Sequence, residues 1–262
     1  MAAARVDAAV VALLRRDRRL VLAGLAGLTA LAWLYLVWDA AGMAAMAPAG
    51  HAPLPALGHA GLTFLMWAVM MVGMMAPGAA PAVLLYASLA RRTRERGGPF
   101  PGVWVFALGY LAAWTGFGAL ATGLQLALER AALLSPMAVA ESRPLAGLLL
   151  ACAGVWQWLP VKSACLRRCR APLPFFLARW RAGARGAFAM GVEHGLFCLG
   201  CCWTLMLLLL FVGGVMDLVW VALIAGFVLV EKLAPFGPVT GRIAGAFLAV
   251  FGLWTLLGLP LP

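Results

Sequence analysis

Residues 186–214 read GAFAMGVEHGLFCLGCCWTLMLLLLFVGG and are apolar over a length that crosses a bilayer as a helix. About 20 apolar residues are enough to span ~30 Å of hydrocarbon. The middle of this stretch nevertheless carries His194, Cys198, Cys201 and Cys202. Polar and ionisable side chains are costly inside a membrane, so they usually mark a functional site. The stretch therefore predicts a membrane span with a site at its centre.

One side of this helix collects most of the sulfur and nitrogen ligands, because successive residues turn by ~100°. We call this side the soft-ligand stripe, and it comprises Met190, His194, Cys198, Cys201 and Cys202. Glu193 lies at its edge, where it either belongs to the metal site and accepts thiol protons or pairs with an arginine. Met206 falls outside the stripe and is predicted to pack in the core. Thiolate and thioether sulfur prefer Cu(I), and imidazole suits zinc and copper. The stripe therefore predicts a soft-metal site.

The composition places the chain among polytopic membrane proteins. Of its 262 residues, 65% are hydrophobic and 11% are charged. The net charge of +11 suggests nucleic acid in a soluble protein, but here the basic residues lie between apolar runs. Topology explains them better, and no nucleic-acid partner is predicted. The six cysteines lie mostly in apolar runs or in a basic segment, which is not the pattern of a secreted disulfide framework.

The apolar runs predict an all-α fold, a polytopic transmembrane helix bundle in residues 1–262. A basic arm at 1–19 precedes about seven spans at 20–38, 60–89, 100–128, 145–160, 186–212, 215–233 and 241–259. Nearly all basic residues then lie on one side, with Arg130 and Arg143 on the other. The positive-inside rule makes the basic side cytoplasmic. We predict a multi-pass protein of a bacterial inner membrane, with its N-terminus inside and its C-terminus outside.

The second predicted span offers thioether ligands. Met66, Met70 and Met74 share one face with Pro77 and Pro81. Methionine is a common filler of helical cores, so packing is the ordinary interpretation. A second soft-ligand face in the same protein makes a ligand role equally plausible. We therefore predict that this face meets the soft-ligand stripe.

Two further segments carry candidate ligands. Cys165 and Cys169 in CLRRCR are four residues apart, which places them on one helical face beside arginines. They are predicted to form a cytoplasmic entry or exit point for metal, a redox pair, or ordinary interface cysteines. The segment 39–59 is predicted to be a flexible loop that either captures copper or has no metal role; its polar and sulfur residues are Asp39, Met43, Met46, His51 and His59. Cys152 is predicted to be a core residue.

Several motifs together carry a family resemblance, from Trp67 to the seventh predicted span. They are Trp67 with Met70, Met71, Met74, Met75 and Pro77; Trp158, Pro160, Lys162, Cys165, Leu166, Arg167, Cys169, Arg170 and Pro172; GxxCxGCCWxLM at 195–206; and Gly214, Met216, Asp217 and Glu231–Lys232. The chain thereby resembles the bacterial predicted metal-binding integral membrane proteins, a family defined by a domain of unknown function. The resemblance implies a multi-spanning protein that binds metal.

The leading functional hypothesis is that the protein handles Cu(I), by transport, storage or delivery to a cuproenzyme, and is not an enzyme. Zinc is the alternative ion, and a metallochaperone or a cuproenzyme is the expected partner beside the lipid bilayer. One competing hypothesis is a membrane thiol–disulfide oxidoreductase, whose thiols must exchange with those of partners. Another is a scaffold subunit of a larger membrane complex.

Overall fold

The computed structural model describes residues 2–46, 55–95, 97–98, 102–134, 142–208 and 217–258, with the backbone alone for 2–17 and 43–46. These ranges form helices and no β-strand, which confirms the predicted all-α class. The helices are α1 (Ala2–Met46), α2 (Ala56–Glu95), α3 (Val103–Arg130), α4 (Arg143–Trp156), α5 (Pro160–Arg170), α6 (Leu173–Arg179), α7 (Gly183–Leu208), α8 (Leu218–Leu233) and α9 (Gly237–Leu256).

Five of these helices are long and apolar enough to cross a membrane. They are the Arg18–Gly42 part of α1, together with α2, α3, α7 and α9. A sixth span results if α4 and α5 count as one broken span. The predicted span at 215–233 corresponds to α8, which has 16 residues in the described part of the chain. Seven spans and their orientation therefore stay a prediction.

The fourth predicted span, at 145–160, falls on α4 and the first residue of α5 and not on one straight helix. Helix α4 ends at Trp156 after 14 residues, and α5 leaves it at an angle of 63°. At 1.5 Å per residue α4 is only ~21 Å long. Pro160 begins α5, where its missing N–H group costs no helical hydrogen bond. The basic segment 162–186 holds most of α5 and all of α6.

Two further expectations need correction. The predicted loop at 39–59 is shorter, because α1 continues to Met46 and α2 begins at Ala56; alanine-rich flanks favour helix over loop. Its Asp39, Met43 and Met46 thus belong to α1, whereas His51 lies outside the described residues. Cys152 is exposed rather than in the core. It lies on the side of α4 away from the buried face, and a small apolar thiol tolerates that position.

Helix packing depends on close backbone contacts. Helix α3 packs against α7 and α2, and α4 packs against α9. A Cβ atom at Gly154 would lie 2.4 Å from the backbone nitrogen of Ala249 on α9. A Cβ atom at Gly252 would lie equally close to the backbone nitrogen of Ala151 on α4. Small residues at these positions let two apolar helices approach, as is usual in membrane bundles.

An aromatic cluster joins α2, α3 and the short helix α6. The rings of Tyr86 and Phe106 stack at a centroid distance of 4.8 Å. The ring of Phe176 lies 5.4 Å from that of Phe106, and the ring of Trp180 lies 5.7 Å from that of Tyr86. The basic segment after α5 is thereby anchored to the helix bundle by α6.

Candidate metal centre

Three sulfur atoms from two helices meet in the interior. The Sγ atoms of Cys169 on α5 and of Cys198 and Cys201 on α7 all lie within 4.8 Å of one another. These side chains are 8%, 1% and 0% exposed, and all three are free thiols. We call this group the three-thiol cluster. Its chemistry is that of a soft-metal site, because thiolates select ions such as Cu(I) and zinc.

The geometry of α7 places its cysteines in different surroundings. The thiols of Cys201 and Cys202 both donate to the backbone oxygen of Cys198, at 3.0 and 2.9 Å. Cys202 is fully buried, but its sulfur does not belong to the three-thiol cluster. The third member of the cluster is Cys169, which is near α7 because α5 packs against α7. The sequence placed Cys169 in a separate cytoplasmic pair.

The partner of Cys169 in that pair is next to the cluster without joining it. Cys165 is half-buried on α5. A Cβ atom at Gly200 of α7 would lie 2.8 Å from its Sγ atom. Gly200 therefore makes room for the approach of α5 to α7.

Cys198 has two polar partners that the sequence analysis missed. The ammonium of Lys232 on α8 donates to its Sγ atom at 2.9 Å, and the hydroxyl of Tyr110 on α3 is hydrogen-bonded to the same sulfur at 2.9 Å. The Lys232 ammonium also lies 3.7 Å from the Sδ atom of Met75 on α2. No signal in the sequence pointed to this role of Lys232, because a lysine at the end of an apolar run ordinarily extends to the membrane interface. Side chains of α3 and α8 thus contact the sulfur of Cys198, and Met75 of α2 contacts the same ammonium.

A second buried lysine fixes α5 against α8. The ammonium of Lys162 forms an ion pair with Glu231 and donates to the side-chain oxygen of Gln157. Arg170 donates to the backbone oxygens of Glu231 and Ala234, both at 2.7 Å. Consecutive residues of α8 therefore serve two purposes, since Glu231 binds α5 and Lys232 faces the three-thiol cluster.

His194 of the soft-ligand stripe is buried beside the cluster. It is 2% exposed, and within the described part of the chain its Nδ1 atom has no hydrogen-bond partner. The rings of Phe106, Tyr110 and Phe175 surround it at centroid distances of 6.1, 6.1 and 5.8 Å. His194 does not belong to the three-thiol cluster, so its role as a ligand stays a prediction. A buried nitrogen without a hydrogen-bond partner is nevertheless unusual, and its lone pair is free to bind a ligand.

The methionines of α2 point into the protein. Met66, Met70 and Met74 are 7%, 0% and 3% exposed, so none of them faces the outside. The neighbouring face of α2 carries Met75, which contacts Lys232. This contact joins α2 to α8, and the predicted meeting of α2 with the stripe of α7 stays a prediction. Coordination by Met66, Met70 or Met74 stays a prediction.

Two other predicted ligands have partners away from the cluster. Glu193 forms ion pairs with Arg179 and, at 3.5 Å, with Arg181. This arrangement is the arginine pairing that was the alternative to a metal role. His59, in the first turn of α2, pairs with Glu129 of α3 at 3.0 Å. Its imidazole joins the start of α2 to the end of α3 and does not contact the cysteines of the three-thiol cluster.

The fold and the cluster define a class of protein: its described residues form a helical bundle with several helices of membrane-crossing length and a buried cluster of three free thiols. Comparison with known families identifies the particular one. The chain belongs to the PpoB2 copper chaperone family, whose model matches residues 64–255. The segment with Met43, Met46, His51 and His59 precedes the matched range. Neither the curated proteins nor the solved structures gave a match.

Proposed function

We propose that the protein is a membrane-embedded chaperone for Cu(I), which it binds at the thiols of Cys169, Cys198 and Cys201 and passes to a cuproenzyme. The observation that carries this proposal is the meeting of these three buried sulfurs within 4.8 Å. The copper chaperone family supports the choice of copper over zinc. Low-coordinate Cu(I) accepts a thiolate set, whereas structural zinc takes four ligands.

His194 and Met75 are the proposed auxiliary ligands. The Nδ1 atom of His194 is buried without a partner, and the thioether of Met75 lies beside the ammonium that contacts Cys198. Cu(I) supplies a soft cation that binds thiolate, and the protein supplies a site from which water is excluded. Binding displaces thiol protons, so affinity rises with pH.

Burial argues against thiol–disulfide exchange as the main activity. An oxidoreductase presents its attacking sulfur to a partner protein. The thiols of Cys198 and Cys201 are 1% and 0% exposed, between helices. A small ion reaches such a site more readily than another protein does.

A Cu(I) titration of the purified full-length protein, reduced and in detergent, tests the proposal. We expect thiolate-to-copper charge-transfer absorption that saturates in the wild type. Cys169→Ser is expected to lower Cu(I) affinity at least tenfold, because it removes one of three thiolates. Cys152→Ser is the matched control, since Cys152 is exposed on α4. A Cys169→Ser variant that binds Cu(I) as tightly as Cys152→Ser contradicts the assignment.

A further inference from the structure

Lys232 is a buried cation whose described neighbours are sulfur atoms and a phenol. Its side chain is 5% exposed, and its ammonium lies 2.9 Å from Cys198 Sγ and 3.7 Å from Met75 Sδ. The adjacent carboxylate of Glu231 pairs instead with Lys162. In the described part of the chain no carboxylate forms an ion pair with Lys232. A buried charge is costly unless it is compensated.

Helix α2 has a glycine, Gly78, where the Lys232 side chain passes. A Cβ atom at Gly78 of α2 would lie 3.1 Å from Lys232 Cδ and 3.3 Å from its Nζ atom. Any larger residue at Gly78 would therefore press on the lysine. Glycine at this position therefore leaves room for the ammonium beside the sulfur of Cys198.

We propose that Lys232 is the counter-cation of the metal–thiolate site and gives it a preference for monovalent over divalent metal ions. This inference rests on the proposed binding of copper at the three-thiol cluster. With the same thiolates, a Cu(I) complex carries one more negative charge than a Zn(II) complex. A fixed ammonium in contact with a ligand sulfur therefore stabilises the Cu(I) complex more. One unit of charge at ~4 Å changes an equilibrium by well over tenfold, even at an effective dielectric constant of about 20.

The ratio of Cu(I) to Zn(II) affinity tests this role. Both affinities are measured on the full-length protein in detergent, by competition with a chromophoric chelator for each ion. In Lys232→Met and Lys232→Gln we expect the ratio to fall at least about tenfold, because both remove the charge. Lys232→Gln keeps a hydrogen-bond donor, so an equal fall in both variants assigns the effect to charge. An unchanged ratio overturns the proposal.

Tyr110→Phe is the matched control, because it removes the other hydrogen bond to Cys198 without a change of charge. We expect it to lower both affinities alike and to leave the ratio within about twofold of the wild type. A fall as large as that of the lysine variants would overturn the charge argument.

Gly78→Ala is a second control, because it moves the lysine side chain by only a few tenths of an ångström while every charge is kept. It is expected to leave the ratio within about twofold of the wild type, and a fall as large as that of the lysine variants would overturn the charge argument. A wild type that binds no Cu(I) contradicts the proposed function itself. A wild type that binds Cu(I), together with unchanged ratios in the lysine variants, contradicts only the role of Lys232.

Discussion

Gly109 and Gly191 face each other where α3 crosses α7: a Cβ atom at Gly191 would lie 3.0 Å from the Cα atom of Gly109 and 2.1 Å from the backbone oxygen of Phe106. A Cβ atom at Gly109 would lie 2.2 Å from the backbone oxygen of Phe188. The two backbones are therefore in direct contact. This contact holds Tyr110 of α3 against the face of α7 that carries the thiols.

We expect Gly191→Ala to destabilise the protein, because the added methyl group has no space between the two backbones. Forced overpacking costs typically about 1–3 kcal/mol. Thermal unfolding of the protein in detergent measures the loss. Gly116→Ala is the control on α3, because a Cβ atom there meets nothing within 4 Å. Equal unfolding temperatures for the two variants would show that α3 and α7 are not in close contact.

Glu231→Gln is expected to be strongly destabilising. It leaves the ammonium of Lys162 buried without a carboxylate, and breaking a buried pair from one side costs about 3–5 kcal/mol. The free energy of unfolding measures this cost. The control is Glu95→Gln on α2, whose carboxylate pairs with Arg91 near the surface and is 63% exposed. Such a pair is worth only about 0–1 kcal/mol.

Removal of both charges tests the same pair from another direction. A Lys162→Met, Glu231→Leu double variant carries no unpaired buried charge at this position, so it should recover most of the stability lost in Glu231→Gln. A double variant that is as unstable as the single one would mean that the carboxylate stabilises the fold in another way.

Cys202→Ser tests whether the ligands are the three cysteines of α7 or the three-thiol cluster. The sequence groups Cys202 with Cys198 and Cys201, and the structure adds Cys169 of α5 to Cys198 and Cys201. We expect Cys202→Ser to lower Cu(I) affinity less than threefold, and Cys169→Ser at least tenfold. Competition with a Cu(I) chelator measures both. A larger loss of Cu(I) affinity in Cys202→Ser than in Cys169→Ser would favour the three cysteines of α7 as the ligands.

The distribution of basic residues predicts the topology. A reporter fused after Gly97 should lie in the cytoplasm, whereas a reporter fused within residues 47–54 should lie outside. A phosphatase that works only outside and a fluorescent protein that folds inside measure the two locations. A cytoplasmic signal from residues 47–54 would contradict the predicted orientation.

The sequence was sufficient to predict the α7 half of the site. Helical periodicity alone brings Cys198 and Cys201 to one side of an apolar helix, and an apolar helix is readily recognised. It was not sufficient to unite them with Cys169. That thiol reaches α7 because α5 turns away from α4 by 63° and packs back on the bundle. No local pattern encodes such a tertiary contact.

The lysines show a second limit of sequence reasoning. Lys162 and Lys232 count as loop charges when spans are assigned by hydropathy, yet the structure buries both. Each is compensated by a residue on another helix, Glu231 for Lys162 and Cys198 for Lys232. Compensation of a charge depends on distance in space, so composition and position in the chain do not disclose it.

The division of the site among α5, α7 and α8 has a consequence for biosynthesis. Lys232 follows Cys198 by 34 residues in the chain. At ~5–20 residues per second a ribosome needs seconds to make that segment. During this interval the thiols of α5 and α7 already exist, whereas the cation that contacts Cys198 does not. A nascent chain therefore has its thiols in place before the ammonium that contacts Cys198, and the arrangement around that sulfur is complete only once α8 has been made.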